Sequence, residues 1–241
     1  MIKILNLILF AGMIVVNYLA NALPLNNKTT GELSDSFPNL FVPAGITFSI
    51  WGIIYLLLII YCVVQFTGIN QIAISKISLV FGISCVLNSL WIVTWHYGKL
   101  PLSLLVMAGI LVSLIYINLV IKGLPLGIIK VSFGIYLGWI CIATIANITA
   151  LLVNSNWNGF GISDELWTII MIAIGTVLVS ITIYRVSNPF LGFAVIWAFT
   201  GIIIKRNGDY RSIVITAAVA IIIVGSATLW GFIRKGSVDA G

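Results

Sequence analysis

The chain has 241 residues, 61% of them hydrophobic, and only 7% are charged, against about 25% in an average soluble domain. With a mean hydropathy of +1.19 it has too few polar side chains to cover a globule in water, so its solvent is lipid. The net charge of +6 comes from basic residues scattered at segment ends with no aromatic-interleaved patch, which argues against nucleic acid as a partner and reads as topology determinants in a bilayer.

In hydrocarbon, backbone amides must pair within their own segment, so each apolar run of about twenty residues predicts a spanning helix. Eight such runs follow in order: Ile4 to Ala20, Ala44 to Phe66, Ile77 to Tyr97, Leu100 to Ile121, Leu126 to Val153, Leu166 to Val186, Pro189 to Ile204 and Ser212 to Ile233. The predicted fold is therefore all-α, a polytopic membrane helix bundle of about eight transmembrane helices. The first run, with Lys3 before it and Ala20-Asn21-Ala22 after it, imitates a secretory signal. The polar stretch Asn21 to Pro43 exceeds a simple turn and is expected to fold over one mouth of the bundle. Later breaks carry turn residues, as in Gly98-Lys99-Leu100-Pro101, Gly123-Leu124-Pro125, Ser187-Asn188-Pro189 and Asn207-Gly208-Asp209, and predict tight helical hairpins.

Orientation follows from basic residues near segment ends. With the amino terminus inside, Lys3, Lys76, Lys122, Lys130, Arg185, Arg234 and Lys235 lie inside, and Lys28, Lys99, Lys205, Arg206 and Arg211 outside, a slender margin for cytoplasmic termini. Lys130 stands near its helix start, where a lysine is expected to snorkel.

Three segments carry polar and aromatic stripes. On the third, Ser84, Asn88, Trp91 and Trp95 share one face of a 3.6-residue helix; on the second, Phe48, Trp51 and Tyr55 do so; on the fifth, Trp139, Ala143 and Asn147. An amide in hydrocarbon costs several kcal/mol without partners, so these faces look into the bundle. Trp157, Trp167 and Trp230 lie near segment ends, as interface tryptophans do, whereas Trp51 and Trp139 stand well inside their runs. Two readings stay open: a shared pocket lined by indoles and amides, and plain helix packing.

Catalytic signals are sparse. His96 has no carboxylate near it in sequence, all six acidic residues fall in loops or the tail, and no nucleophile triad, phosphate loop or metal-ligand spacing appears. Cys62, Cys85 and Cys141 lie in apolar runs and read as small core residues.

The stretch from Pro38 through Pro43, Phe48, Trp51 and Tyr55 resembles the second region of the translocator protein family, also called tryptophan-rich sensory proteins (TspO/MBR). Leu87-Asn88-Ser89-Leu90-Trp91, followed by Lys99, Pro101 and Leu102, resembles the family's third-helix motif and the turn after it. The run from Tyr136 through Trp139, Ala143, Thr144 and Asn147 resembles its fifth-helix motif. The resemblance covers residues 1 to about 156 and divides the chain into a TspO-like five-helix domain, 1–156, and a three-helix extension, 157–241. It implies that the opening segment is a retained helix, that members often form homodimers, and that the bundle interior takes flat hydrophobic ligands: tetrapyrroles such as porphyrin or, in some members, sterol-like molecules.

Together the stripes and the resemblance give the ligand-binding set Pro43, Phe48, Trp51, Tyr55, Asn88, Trp91, Trp95, Trp139, Ala143 and Asn147, with no metal and no cofactor beyond a tetrapyrrole ligand. Members are described as transporters, as stress- or light-linked regulators and as promoters of porphyrin breakdown; Trp51 and Trp139 occupy the positions of the two tryptophans that bacterial members use in that breakdown. Gly31 and Glu32 stand where the family usually has a Trp-Tyr pair. The leading expectation is a non-enzymatic binder or translocator of a hydrophobic ligand; photo-oxidative porphyrin breakdown and a structural or accessory membrane subunit are the alternatives.

Overall fold

A computed structural model describes residues 1–22 and 27–239, with side chains as far as Arg234. Lys235 of the orientation count and residues 23–26 of the long loop therefore lie outside the described side chains. The helices are α1 (Ile2–Ala22), α2 (Thr30–Asp35), α3 (Ile50–Val64), α4 (Gln71–His96), α5 (Leu100–Val120), α6 (Ile128–Asn154), α7 (Asp164–Val186), α8 (Leu191–Arg206) and α9 (Arg211–Asp239). A 3-10 turn, Gly45–Ser49, leads into α3.

Among the described residues, seven helical spans are long and apolar enough to cross a bilayer: α1, α3 with its leading turn, α4, α5, α6, α7 and α9. The eighth, α8, has 16 residues, about 24 Å at 1.5 Å per residue, and falls short of the hydrocarbon thickness. It is held between α6, α7 and α9. The helix starts follow local chemistry. Pro101 sits in the first turn of α5, where a missing amide hydrogen costs nothing. The Ser163 side chain accepts from Leu166 N at the start of α7, with Asp164 and Glu165 in the first turn, where the helix dipole favours negative charge.

The faces divide as a lipid solvent requires. Ile8, Val15, Ile53, Leu56, Val112 and Ile222 are among the side chains exposed on the exterior, while amides and small residues turn inward. α1 belongs to this core: Asn17 Nδ2 donates to Asn88 Oδ1 at 2.8 Å and Asn6 Nδ2 to Gln65 Oε1 at 3.1 Å. The seam between α6 and α8 depends on glycine. A Cβ on Gly138 would stand 2.2 Å from the Leu191 carbonyl oxygen, so any side chain there forces the two backbones apart.

Below that seam lies a polar knot. Asn188 Nδ2 donates to Asn118 Oδ1 at 2.7 Å and to the Lys130 carbonyl at 2.9 Å, and Asn118 Nδ2 donates to the carbonyls of Leu114 and Phe133. Lys130 corrects the snorkelling expectation: it is fully buried, and its Nζ donates to the carbonyls of Lys122 at 3.0 Å and Ser187 at 2.8 Å. Carbonyls left over at two helix ends hold the ammonium inside the protein, so it need not reach for the headgroups.

Candidate functional site

The helical period brings the three sequence stripes to one place. Trp51, in the first turn of α3, stacks on Tyr55 of its own helix at 5.6 Å between ring centroids and on Trp91 of α4 at 5.9 Å. It meets two α6 rings edge-on, Tyr136 at 6.0 Å and Trp139 at 6.2 Å. Trp91 stacks on Trp95 at 6.2 Å, and Phe48 meets Trp139 edge-on at 5.9 Å. These separations are those at which aromatic pairs attract, by about 0.5–1.5 kcal/mol each beyond area burial.

The segment from α2 to the 3-10 turn runs over this cluster as a strap, as the long polar loop was expected to do. The Phe37 ring lies 5.7 Å from Trp95, and Thr30 and Ser34 of α2 face the tryptophans. α2 starts on a capping box: Thr29 Oγ1 accepts from Glu32 N, while the Glu32 carboxylate accepts from the Thr29 backbone N–H at 2.7 Å and from its hydroxyl. The Thr29 amide, then its hydroxyl, pull the Glu32 carboxyl below its ordinary value.

The far side of the strap is tied to α8. Ala44 N donates to the Gly201 carbonyl at 3.0 Å, Trp197 Nε1 to the Thr47 carbonyl at 2.9 Å, and Arg206 to the carbonyls of Leu40 and Asn39. Lys205 pairs with Asp35. A Cβ on Gly201 would stand 2.0 Å from Thr47 Oγ1, so only glycine lets the strap lie this close to α8.

Between strap and helices is a cavity of about 40 Å³. Of the residues singled out from sequence, Pro43, Phe48, Trp51, Trp91, Trp95, Trp139, Ala143 and Asn147 line it. Tyr55 stands behind Trp51, and Asn88 is spent on packing: it accepts from Asn17 and donates from Nδ2 to the Tyr136 hydroxyl at 2.9 Å. The Asn147 amide is bonded to Ser103 of α5, with Nδ2 donating to Oγ at 2.9 Å.

Thr30, Ser34, Ile142 and Ala146 complete the lining, unforeseen in the sequence. The two α6 residues were within reach of the pattern, since Trp139, Ile142, Ala143 and Ala146 fall at i, i+3, i+4 and i+7. Nothing local signals the two strap residues. Gly31 faces Phe48 and Glu32 is engaged in the cap, so α2 brings no aromatic ring to the cavity. Away from it, His96 is buried with Nδ1 2.8 Å from the Ile92 carbonyl.

The lining is apolar apart from a few donors. The indole nitrogens of Trp91, Trp95 and Trp139 are buried and meet no acceptor among the described residues. Elsewhere in the chain partly buried indoles do find one: Trp167 Nε1 donates to the Gly159 carbonyl at 2.7 Å, and Trp197 Nε1 bonds as above. Each buried donor left unmatched costs about 1–3 kcal/mol, and the three belong to tryptophans that line one void.

A family model described as "TSPO-like protein" matches residues 3–230. The match therefore reaches through the last three helices as well as the first five. No curated protein and no solved structure matches the chain.

Proposed function

The chain belongs to the TSPO-like protein family and is an integral multi-pass membrane protein; from that premise we propose that it binds a flat hydrophobic ligand carrying hydrogen-bond acceptors, of the tetrapyrrole class, in the box formed by α3, α4 and α6. The observation that carries this reading is the trio of unmatched indole donors, Trp91, Trp95 and Trp139, around one cavity. A tetrapyrrole offers both a face for the stacked rings and ring or carboxylate acceptors for the indoles. Binding is the whole of the proposed activity.

Size makes a demand on this reading. A void of about 40 Å³ holds a water or two, whereas small-molecule pockets usually run to about 300–1,000 Å³. The guest enters by displacing the strap, whose Thr30 and Ser34 roof the void. The same small void supports the second reading, an accessory membrane subunit whose rings only pack helices.

Protoporphyrin IX added to the purified protein separates the two. Ligand binding quenches tryptophan fluorescence, and a hundredfold excess over the dissociation constant raises stability by about 2.7 kcal/mol. The double variant Trp51→Phe with Trp139→Phe weakens both effects. Unchanged fluorescence and melting temperature with porphyrin and with a sterol favour the accessory reading. Loss of the porphyrin absorption bands under illumination, faster than free porphyrin bleaches, would move the assignment to breakdown at Trp51 and Trp139.

A further inference from the structure

The other end of the bundle carries different chemistry. Among the described side chains, alternation of the helices gathers six basic residues and no acidic one at the end holding the amino terminus, and five basic and five acidic at the end holding the strap. The net charge of these side chains, +6, therefore sits on one face of the membrane protein. Counting basic residues alone gives a slender asymmetry; counting net charge, which is what an anionic lipid surface feels, gives a complete one.

On that face a cavity of about 380 Å³ opens between the α5–α6 turn and the ends of α7 and α9, with Lys122, Tyr184, Ser187, Trp230 and Arg234 on its walls. Tyr184 and Trp230 stack at 5.5 Å, and the Arg234 guanidinium lies 4.6 Å from the first ring centroid and 5.4 Å from the second. Both rings are about half exposed, 50% and 48%, as side chains at headgroup level are. The exposed Ile181, one turn before Tyr184 in α7, extends the apolar exterior toward the acyl region.

Helix carboxyl ends ordinarily repel anions, because their last carbonyls carry partial negative charge. Here the buried Lys130 ammonium answers the Lys122 and Ser187 carbonyls and fastens the turn to the end of α7. The cavity rim is thereby left with a positive field.

We infer that this cavity is a binding site for the headgroup phosphate of an anionic phospholipid, with Arg234 and Lys122 as its cationic partners and Tyr184 and Trp230 against the glycerol and upper acyl chain. Arginine offers the phosphate a bidentate fork and lysine a point charge. A membrane lipid is preferred over free phosphate because the walls are amphipathic, with aromatic rings on one side and cations on the other.

The test uses the full chain, delipidated in detergent and titrated with dioleoyl phosphatidylglycerol, dioleoyl phosphatidylcholine or inorganic phosphate, with retained lipid read by native mass spectrometry and stability by melting temperature. Phosphatidylglycerol is expected to be retained and to stabilise, phosphatidylcholine and phosphate not. Lys122→Ala with Arg234→Ala, which removes two charge-assisted contacts to the phosphate, is expected to weaken phosphatidylglycerol retention about thirtyfold. Lys76→Ala with Arg185→Ala, which removes the same charge from this end outside the cavity lining, is expected to weaken it less than threefold.

Equal losses in the two double variants would overturn the proposal in favour of diffuse attraction. Equal retention of the two lipids, or stabilisation by phosphate alone, would overturn it as a lipid site. Should the alanine pair fail to fold, Lys122→Gln with Arg234→Gln retains the side-chain stems and is expected to show the same loss; normal retention there would equally refute it.

Discussion

The aromatic box at one end of the bundle and the polar knot near the other are both buried and both rich in hydrogen-bonding groups, yet they treat their donors in opposite ways. In the knot the donors are answered: the amides of Asn118 and Asn188 each reach two acceptors, and Lys130 reaches two carbonyls. In the box the three tryptophans Trp91, Trp95 and Trp139, which line a void, have indole N–H groups that meet no acceptor among the described residues. Lipid offers no hydrogen bonds to either region, so the difference is not one of solvent. The knot satisfies its own donors; the box keeps three in reserve.

The largest expected effect breaks the knot. Asn188→Leu keeps the number of side-chain heavy atoms but leaves Asn118 Oδ1 without its donor and takes the side-chain donor from the Lys130 carbonyl, and is expected to cost about 2–3 kcal/mol in a detergent unfolding titration, with porphyrin binding unaltered. Removing a donor from the box is expected to cost much less. Trp95→Phe deletes an N–H that bonds to nothing described, so the apo protein loses under about 1.5 kcal/mol while ligand affinity falls; equal destabilisation by the two substitutions would erase the contrast.

The strap supplies a smaller effect. Lys205→Ala removes an ion pair whose side chains are 27% and 53% exposed, worth about 0.5 kcal/mol, and is expected to show in faster porphyrin association more than in melting temperature. The smallest follows pH. The Glu32 carboxyl is held below its ordinary value of 4.5, so its contribution to the α2 cap is complete above that pH and is lost as the pH falls through the lowered value. Hydrogen exchange of the Thr29–Glu32 amides should quicken, relative to the α6 core, over that acidic interval alone.

How much of this was legible in the sequence depends on the distance over which each feature is decided. The spans and the faces of α3, α4 and α6 are matters of composition and helical period, and the rings of Trp51, Trp91 and Trp139 converge as their spacing requires. Asn88 and Trp91 share a stripe but not a role. The partner that occupies Asn88 is Asn17, 71 residues earlier, and no local pattern announces it. Lys130 was misread for the same reason, because the carbonyl that holds it comes from Ser187, 57 residues on. The strap residues Thr30 and Ser34 lie in a segment without the periodicity of a span, and its placement is fixed by bonds to α8.

Those bonds carry a consequence for anyone wishing to isolate a minimal five-helix unit. Cutting after Asn156 would strip the Thr47 carbonyl of its indole donor, release the backbone of Ala44, and bare the flat flank of Gly138 to acyl chains. The truncated bundle would keep every tryptophan of the box and the strap that roofs it, and lose the helix to which the strap is tied. The aromatic box is not portable.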